Sequence, residues 1–199
     1  MTAQTGAERG HPPPPGASIV GERSLGGRGL ELTVATPAFA APVEVQVFLP
    51  VAYDDQPARR WPVTYYVAGT NHDENDFAEQ YDGEKLTRSF ESLVVSPRGD
   101  AGYWSDGYNG GAFGPPMYET FVIDQLIPLI DARFRTDPSG AARAIFGESM
   151  GGYGAMMFAA RHPDLFAAAS SLSAGSFMFT PALNCASGLR NFVAIQRKM

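Results

Sequence analysis

Polar and apolar residues alternate along residues 30–35, and more cleanly along 43–49, where Val43, Val45, Val47 and Leu49 share one face. A period of two is the signature of a half-buried strand, and Pro50 ends the second run. The two strands are expected to pair antiparallel. Residues 93–96 form a continuous apolar run, as expected of a strand buried on both faces. Residues 62–67, 142–146 and 165–172 supply three more strands. Elsewhere the period changes to 3.6. Ile123, Leu126, Ile127, Ile130 and Phe134 follow the i, i+3, i+4, i+7 spacing of one helical face over residues 119–134. Pro128 interrupts that stripe and is expected to kink the helix or displace a backbone bond. A second helix is predicted over 150–161, stopped by Pro163, and a short one over 84–91. Strands alternating with helices predict an α/β domain, a mostly parallel sheet with helices on both faces.

Composition bounds this picture. The 199 residues are 44% apolar and 18% charged, ordinary values for one globular domain. Residues 1–18 are polar and rich in proline, and a disordered tail is expected there. The α/β domain is expected over 19–175 and an irregular tail over 176–199. The net charge of −6 argues against a nucleic-acid partner. No apolar run approaches the roughly 18–20 residues of a membrane span. The first residues lack the apolar core of a secretory signal. With Met1 as the true start the chain is expected to be cytoplasmic; an upstream start carrying a signal would make it secreted. Cys185 is the single cysteine, so no internal disulfide and no cysteine metal cluster is expected. No cofactor and no metal site is implied.

The chemistry concentrates where the apolar strand at 142–146 meets the helix at 150. Gly147, Glu148, Ser149, Met150 and Gly151 fit G-x-S-x-G. In that motif a serine sits on a sharp strand-to-helix turn. Glycine two residues before and after removes side chains that would clash there. The helix N-terminus aims free N–H groups and its positive dipole end at the same place. A second feature is the long glycine-rich loop over 99–116. Its aromatics Tyr103, Trp104, Tyr108 and Phe113 are candidates for lining a pocket, or for simply covering the core.

With these residues in view, the chain from about residue 20 to about 175 resembles the esterase branch of the α/β-hydrolases. That branch includes carboxylesterases, feruloyl esterases, S-formylglutathione hydrolase and the antigen 85 mycolyltransferases. The likeness rests on Val47, Phe48, Leu49 and Pro50 with Tyr53, on Tyr103, Trp104, Ser105 and Asp106, and on Tyr118, Glu119 and Thr120 with Leu126, Ile127 and Pro128. It rests most on residues 146–154 followed by Arg161, His162, Pro163, Asp164, Leu165 and Phe166. The resemblance implies Ser149 as a nucleophile that forms an acyl-enzyme on a small-molecule ester. It implies the main-chain N–H of Met150 as one oxyanion donor. The second donor falls at Gly69 and Thr70, with the Thr70 N–H as the choice. It leaves hydrolase and acyltransferase both open.

Three departures qualify that expectation. The loop at Ala68, Gly69 and Thr70 has neither the His-Gly of many esterases nor the Asp-Gly-Leu of the mycolyltransferases, which counts against trehalose recognition. Glu148 is read as structural. The acid and histidine that should follow the serine in this fold are not found. After Ser149 come only Asp164, in a turn, and His162, at the far end of the elbow helix and expected to cap it. His72 lies just past the oxyanion loop and reads as a loop histidine, and His11 sits in the tail. Asp106 and Asp124 precede the serine, the wrong order; Asp100 and Asp106 read as turn formers. The expectation is therefore a C-terminally truncated domain, impaired or inactive alone. It would self-associate through an exposed sheet edge. A non-catalytic ligand-binding remnant is the alternative.

Overall fold

The computed structural model describes residues 16–70, 75–79, 81–100, 102–107 and 116–174. Seven strands form one sheet: β1 (Ser18–Gly26), β2 (Gly29–Ala35), β3 (Val43–Phe48), β4 (Val63–Val67), β5 (Leu93–Pro97), β6 (Arg143–Glu148) and β7 (Ala168–Leu172). Their order is β1-β2-β3-β5-β4-β6-β7. β1, β2, β3 and β5 pair antiparallel in succession, while β4 pairs parallel with β5 and β6, and β6 with β7. Five strands therefore share one direction, with β1 and β3 reversed. The helices are α1 (Asn75–Glu79), α2 (Gly83–Leu86), α3 (Tyr118–Thr120), α4 (Ile127–Arg133) and α5 (Met150–Arg161).

The alternation read along β2 and β3 is the register of their pairing. Leu32 faces Val45 and Val34 faces Val43, all buried. In β4 neighbouring side chains serve opposite faces, as the pleat requires. Tyr65 joins the larger core with Phe121, Ile130 and Phe158, whereas Tyr66 packs with Phe77 and Val94. The sheet is thus covered on both faces. From β4 the chain moves to β5 on one side and later to β6 on the other. The carboxyl end of β4 is therefore a topological switch point, where open α/β sheets place their ligand crevices.

The structure differs from the sequence expectation in several places. Residues 18–26 form a strand where no element was expected, with Ser18 placed in the tail. No residue of β1 is fully buried, so the strand has no apolar alternation to read. The helix over 119–134 starts at Tyr118 and is not uniformly α-helical. Phe121–Leu126 is a π-helical stretch, and Pro128 falls in the first turn of α4. The missing proline N–H costs little in that turn, and the displaced bonds appear as the wider π turns before it. The helix over 84–91 ends at Leu86 and tightens into a 3₁₀ turn, Thr87–Ser89. Among the described residues β7 is an edge strand, and its Leu172 is 53% exposed. No helix among them is long and apolar enough to cross a membrane.

Candidate active site

β6 ends at Glu148 and α5 begins at Met150, so Ser149 alone makes the turn, at φ 50° and ψ −118°. A non-glycine residue held in such a sparsely populated region costs about 1–3 kcal/mol and persists only where its surroundings impose it. Here they do. The Ser149 N–H donates to the Leu172 carbonyl at 2.8 Å, and the Ser149 carbonyl accepts from the Tyr153 N–H at 3.2 Å. Both flanking glycines are sterically required. A Cβ on Gly147 would lie 2.4 Å from the Gly151 carbonyl oxygen, and one on Gly151 only 1.8 Å from that of Val67. The first turn of α5 therefore lies directly against the end of β4.

That contact brings the two halves of the expected oxyanion site to one corner of the sheet. Residues 68–70 leave β4 beside the elbow; Gly69 is buried and Thr70 half-buried. Met150 is buried, and its Sδ accepts the Tyr103 N–H at 3.3 Å. Of the four loop aromatics, Tyr103 is 43% exposed, while Trp104 has no exposed surface. For Trp104 the core-covering reading replaces that of an open pocket wall. Its indole N–H donates to the Ala68 carbonyl at 3.1 Å. Tyr108 and Phe113 lie outside the described residues.

Glu148 and the acidic residues of the loop after β5 have structural partners. Glu148 accepts the Tyr81 hydroxyl at 2.7 Å. Asp106 accepts both the N–H of Thr120, at 2.9 Å, and its hydroxyl, at 2.5 Å. Asp100 accepts from Arg98 at 2.8 Å and from the Tyr118 hydroxyl at 3.2 Å. Burial, with the Asp100 charge adding to it, pushes the Tyr118 pKa up to about 12, so this phenol remains a donor across the neutral range. No signal in the sequence joins Tyr81 to Glu148, 67 positions apart.

His162 stands at the other end of α5. Twelve residues at 1.5 Å each place it about 18 Å from the elbow. Its backbone N–H closes the helix on the Phe158 carbonyl at 2.8 Å. Its imidazole does not cap the helix but pairs with Glu119 at 2.8 Å, beside Arg161 on the other carboxylate oxygen. A groove of about 610 Å³, lined by Ile123, Asp124, Asp131, Arg143 and His162 among others, lies at this far end and not at Ser149. There Arg143, buried, reaches Asp131 at 2.8 Å. Burial raises the Asp131 carboxyl above its ordinary value despite that partner. His72 and His11 lie outside the described residues. Among the described residues no group of three or more His, Cys, Asp or Glu could hold a metal ion.

Comparison with known proteins bears on this arrangement. The family model described as Putative esterase matches residues 36–186. Esterase Rv1288 of Mycobacterium tuberculosis strain H37Rv is 38% identical over 130 residues, which is 65% of this chain and 28% of that protein. A ferulic acid esterase structure shares 25% identity at a TM-score of 0.57, covering 77% of this chain and 56% of that one. An S-formylglutathione hydrolase from Agrobacterium tumefaciens shares its fold at a TM-score of 0.62 and 21% identity, covering 77% of this chain and 60% of that one. The chain thus spans about a quarter of the length of the curated esterase and less than two thirds of each structure. The family match runs from the end of β2 through the whole of β7 and includes the elbow: the chain belongs to the Putative esterase family, with an α/β-hydrolase fold.

Proposed function

We propose that this chain is a serine carboxylic-ester hydrolase working through an acyl-enzyme on Ser149. The observation that carries the reading is the backbone of Ser149, held at a positive φ between two glycines that admit no side chain. A hydroxyl on that turn stands clear of the sheet at the N-terminus of α5. Attack of its oxygen on an ester carbonyl gives a tetrahedral oxyanion. The Met150 N–H and the Thr70 N–H, with the Gly69 peptide shaping the approach to Thr70, are the proposed donors to it. One such donor is worth about 3–4 kcal/mol in the transition state. The serine proton passes to the leaving oxygen as collapse expels the alcohol; water then attacks the acyl-enzyme, releases the acid and returns a proton to Ser149.

Proton transfer is the weak step. His162, the one histidine among the described residues, is paired with Glu119 at the wrong end of α5. Loss of the histidine base costs a serine protease about 10⁶-fold in kcat. Without a base the serine itself adds almost nothing, so serine-dependent turnover is expected only where a base reaches Ser149 from outside the described residues. The same observation favours a second reading, a ligand-binding module without turnover. Hydrolysis of p-nitrophenyl acetate by the purified chain, beside a folded Ser149→Ala variant, separates the two. A rate at least tenfold above the variant supports the hydrolase. Equal rates in two folded proteins overturn it in favour of the binding module.

A further inference from the structure

The indole of Trp104 is placed with more care than a core plug requires. Tyr103 and Trp104 both adopt positive φ, 51° and 55°, two strained residues in succession on the loop after β5. The ring fits only because glycines surround it. A Cβ on Gly99 would lie 2.3 Å from the indole, and one on Gly154, in α5, 2.6 Å from it. Trp61 shows what a plain plug looks like. It is equally buried, yet its indole N–H has no partner among the described residues. The N–H of Trp104 is spent on one atom, the Ala68 carbonyl oxygen at 3.1 Å. A Cβ on Gly151 would stand 2.6 Å from that same oxygen on its elbow side.

We infer that Trp104 is a positioning residue for the oxyanion hole. The inference rests on the reading of Ser149 and residues 69–70 given above. The peptide joining Ala68 to Gly69 is planar, so fixing its carbonyl fixes the direction of the Gly69 N–H, opposite to it. The next peptide, which carries the Thr70 N–H, then starts from a fixed point beside the elbow, with only the φ and ψ of Gly69 between the two. The indole thus locks the loop after β4 to α5, and the Tyr103 N–H on the Met150 Sδ holds the same loop to the other donor residue. Residues 103–104 thus tie the segment that leads to one proposed donor and the residue that carries the other to a single loop. An error of about 1 Å in such a site can cost about 100-fold in rate.

The test removes the N–H and keeps the shape. Benzothienylalanine at position 104 replaces the indole nitrogen by sulfur, with Trp104→Phe as the simpler companion. The readout is covalent labelling of the full 199-residue chain by an alkyl fluorophosphonate, followed by intact mass, which resolves inhibitor affinity from the bond-forming rate. The expected result is a 10- to 100-fold slower bond-forming rate in the isostere, an affinity within twofold of wild type, and a melting temperature within a few degrees. An isostere that labels at the wild-type rate, while Ser149→Ala does not label, overturns the role of Trp104 and leaves the serine reading standing. A wild-type chain that forms no Ser149-dependent adduct overturns the serine reading, and this inference falls with it.

Discussion

The two ends of the β6–α5 unit are built on opposite principles. At the elbow, backbone meets backbone: Gly151 lies on the Val67 carbonyl, and Ser149 is locked by the Leu172 carbonyl and the Tyr153 N–H. At the far end, charged side chains do the holding. Arg143 binds Asp131 and the Pro138 and Leu165 carbonyls, while His162 and Arg161 grip Glu119. The difference teaches where strain can be kept. A residue such as Ser149 stays in a costly conformation only if the helix behind it cannot move to relieve it. Ion pairs at the carboxyl end of α5 tie that helix to α3, and Arg143 ties the start of β6 to α4, so strand and helix are both anchored at the end away from the elbow.

The sharpest way to break the comparison is Gly151→Ala. The added methyl would overlap a backbone oxygen, which cannot swing away as a side chain could. Strand and helix must part, at a cost expected above about 4 kcal/mol. For a domain of this size that lowers the melting temperature by roughly 10 °C or more. Thermal melting followed by circular dichroism measures it. A loss under about 1 kcal/mol would show that the elbow end yields, and that its close packing does not fix Ser149.

The elbow was legible in the sequence because its determinants are local. The G-x-S-x-G spacing, the apolar strand before it and Pro163 after it place α5 at residues 150–161, where it is found. The alternation in β2 and β3 likewise carried their pairing. What was not legible depends on partners far apart in sequence. Trp104 lies 36 positions from Ala68, and Tyr81 lies 67 from Glu148. Trp104 read equally as pocket wall or core cover until its burial was seen. The β1 edge strand buries no residue fully, so it imposes no pattern. The π-helical stretch was hidden for another reason: its apolar stripe matches that of an α-helix, and only Pro128 hinted at displaced bonds.

A change of smaller and opposite sign sharpens the contrast. Ser149→Gly places the residue best suited to φ 50° at the strained position. Relief of about 1–3 kcal/mol is offset by the greater freedom of glycine in the unfolded chain, about 0.5–1 kcal/mol. A net gain near 1 kcal/mol is expected, or about 2–4 °C in melting temperature, together with complete loss of serine-dependent hydrolysis. Activity and stability would then move in opposite directions at one residue. A variant no more stable than wild type would mean that Ser149 stores no strain.

The smallest effect concerns the charged end, and its sign decides whether burial or pairing governs it. The folded-state pKa of Asp131 is raised, burial outweighing its bonds to Thr136 and Arg143. A carboxyl with a raised folded value binds its proton more tightly when folded. Its contribution is fully present below the ordinary value of 3.8 and is lost as pH rises through the folded value. The stability difference between wild type and Asp131→Asn should therefore shrink as pH rises above about 3.8. Asp137, in the turn before β6, behaves in reverse. The Ser139 backbone N–H lowers its folded value, so its contribution is present at neutral pH and lost as pH falls through that lowered value. The difference between wild type and Asp137→Asn should grow as pH climbs through that lowered value to about 3.8 and stay level above it, weakly because Asp137 remains partly open to solvent. Melting temperatures at half-unit pH steps resolve both slopes. If the Asp131 difference grows with pH instead, Arg143 dominates burial, and the far end stabilises the fold through its ion pair. If it shrinks, the charged end holds α4, β6 and the turn after α5 in register at a cost in stability, as the elbow holds Ser149 at a cost in strain.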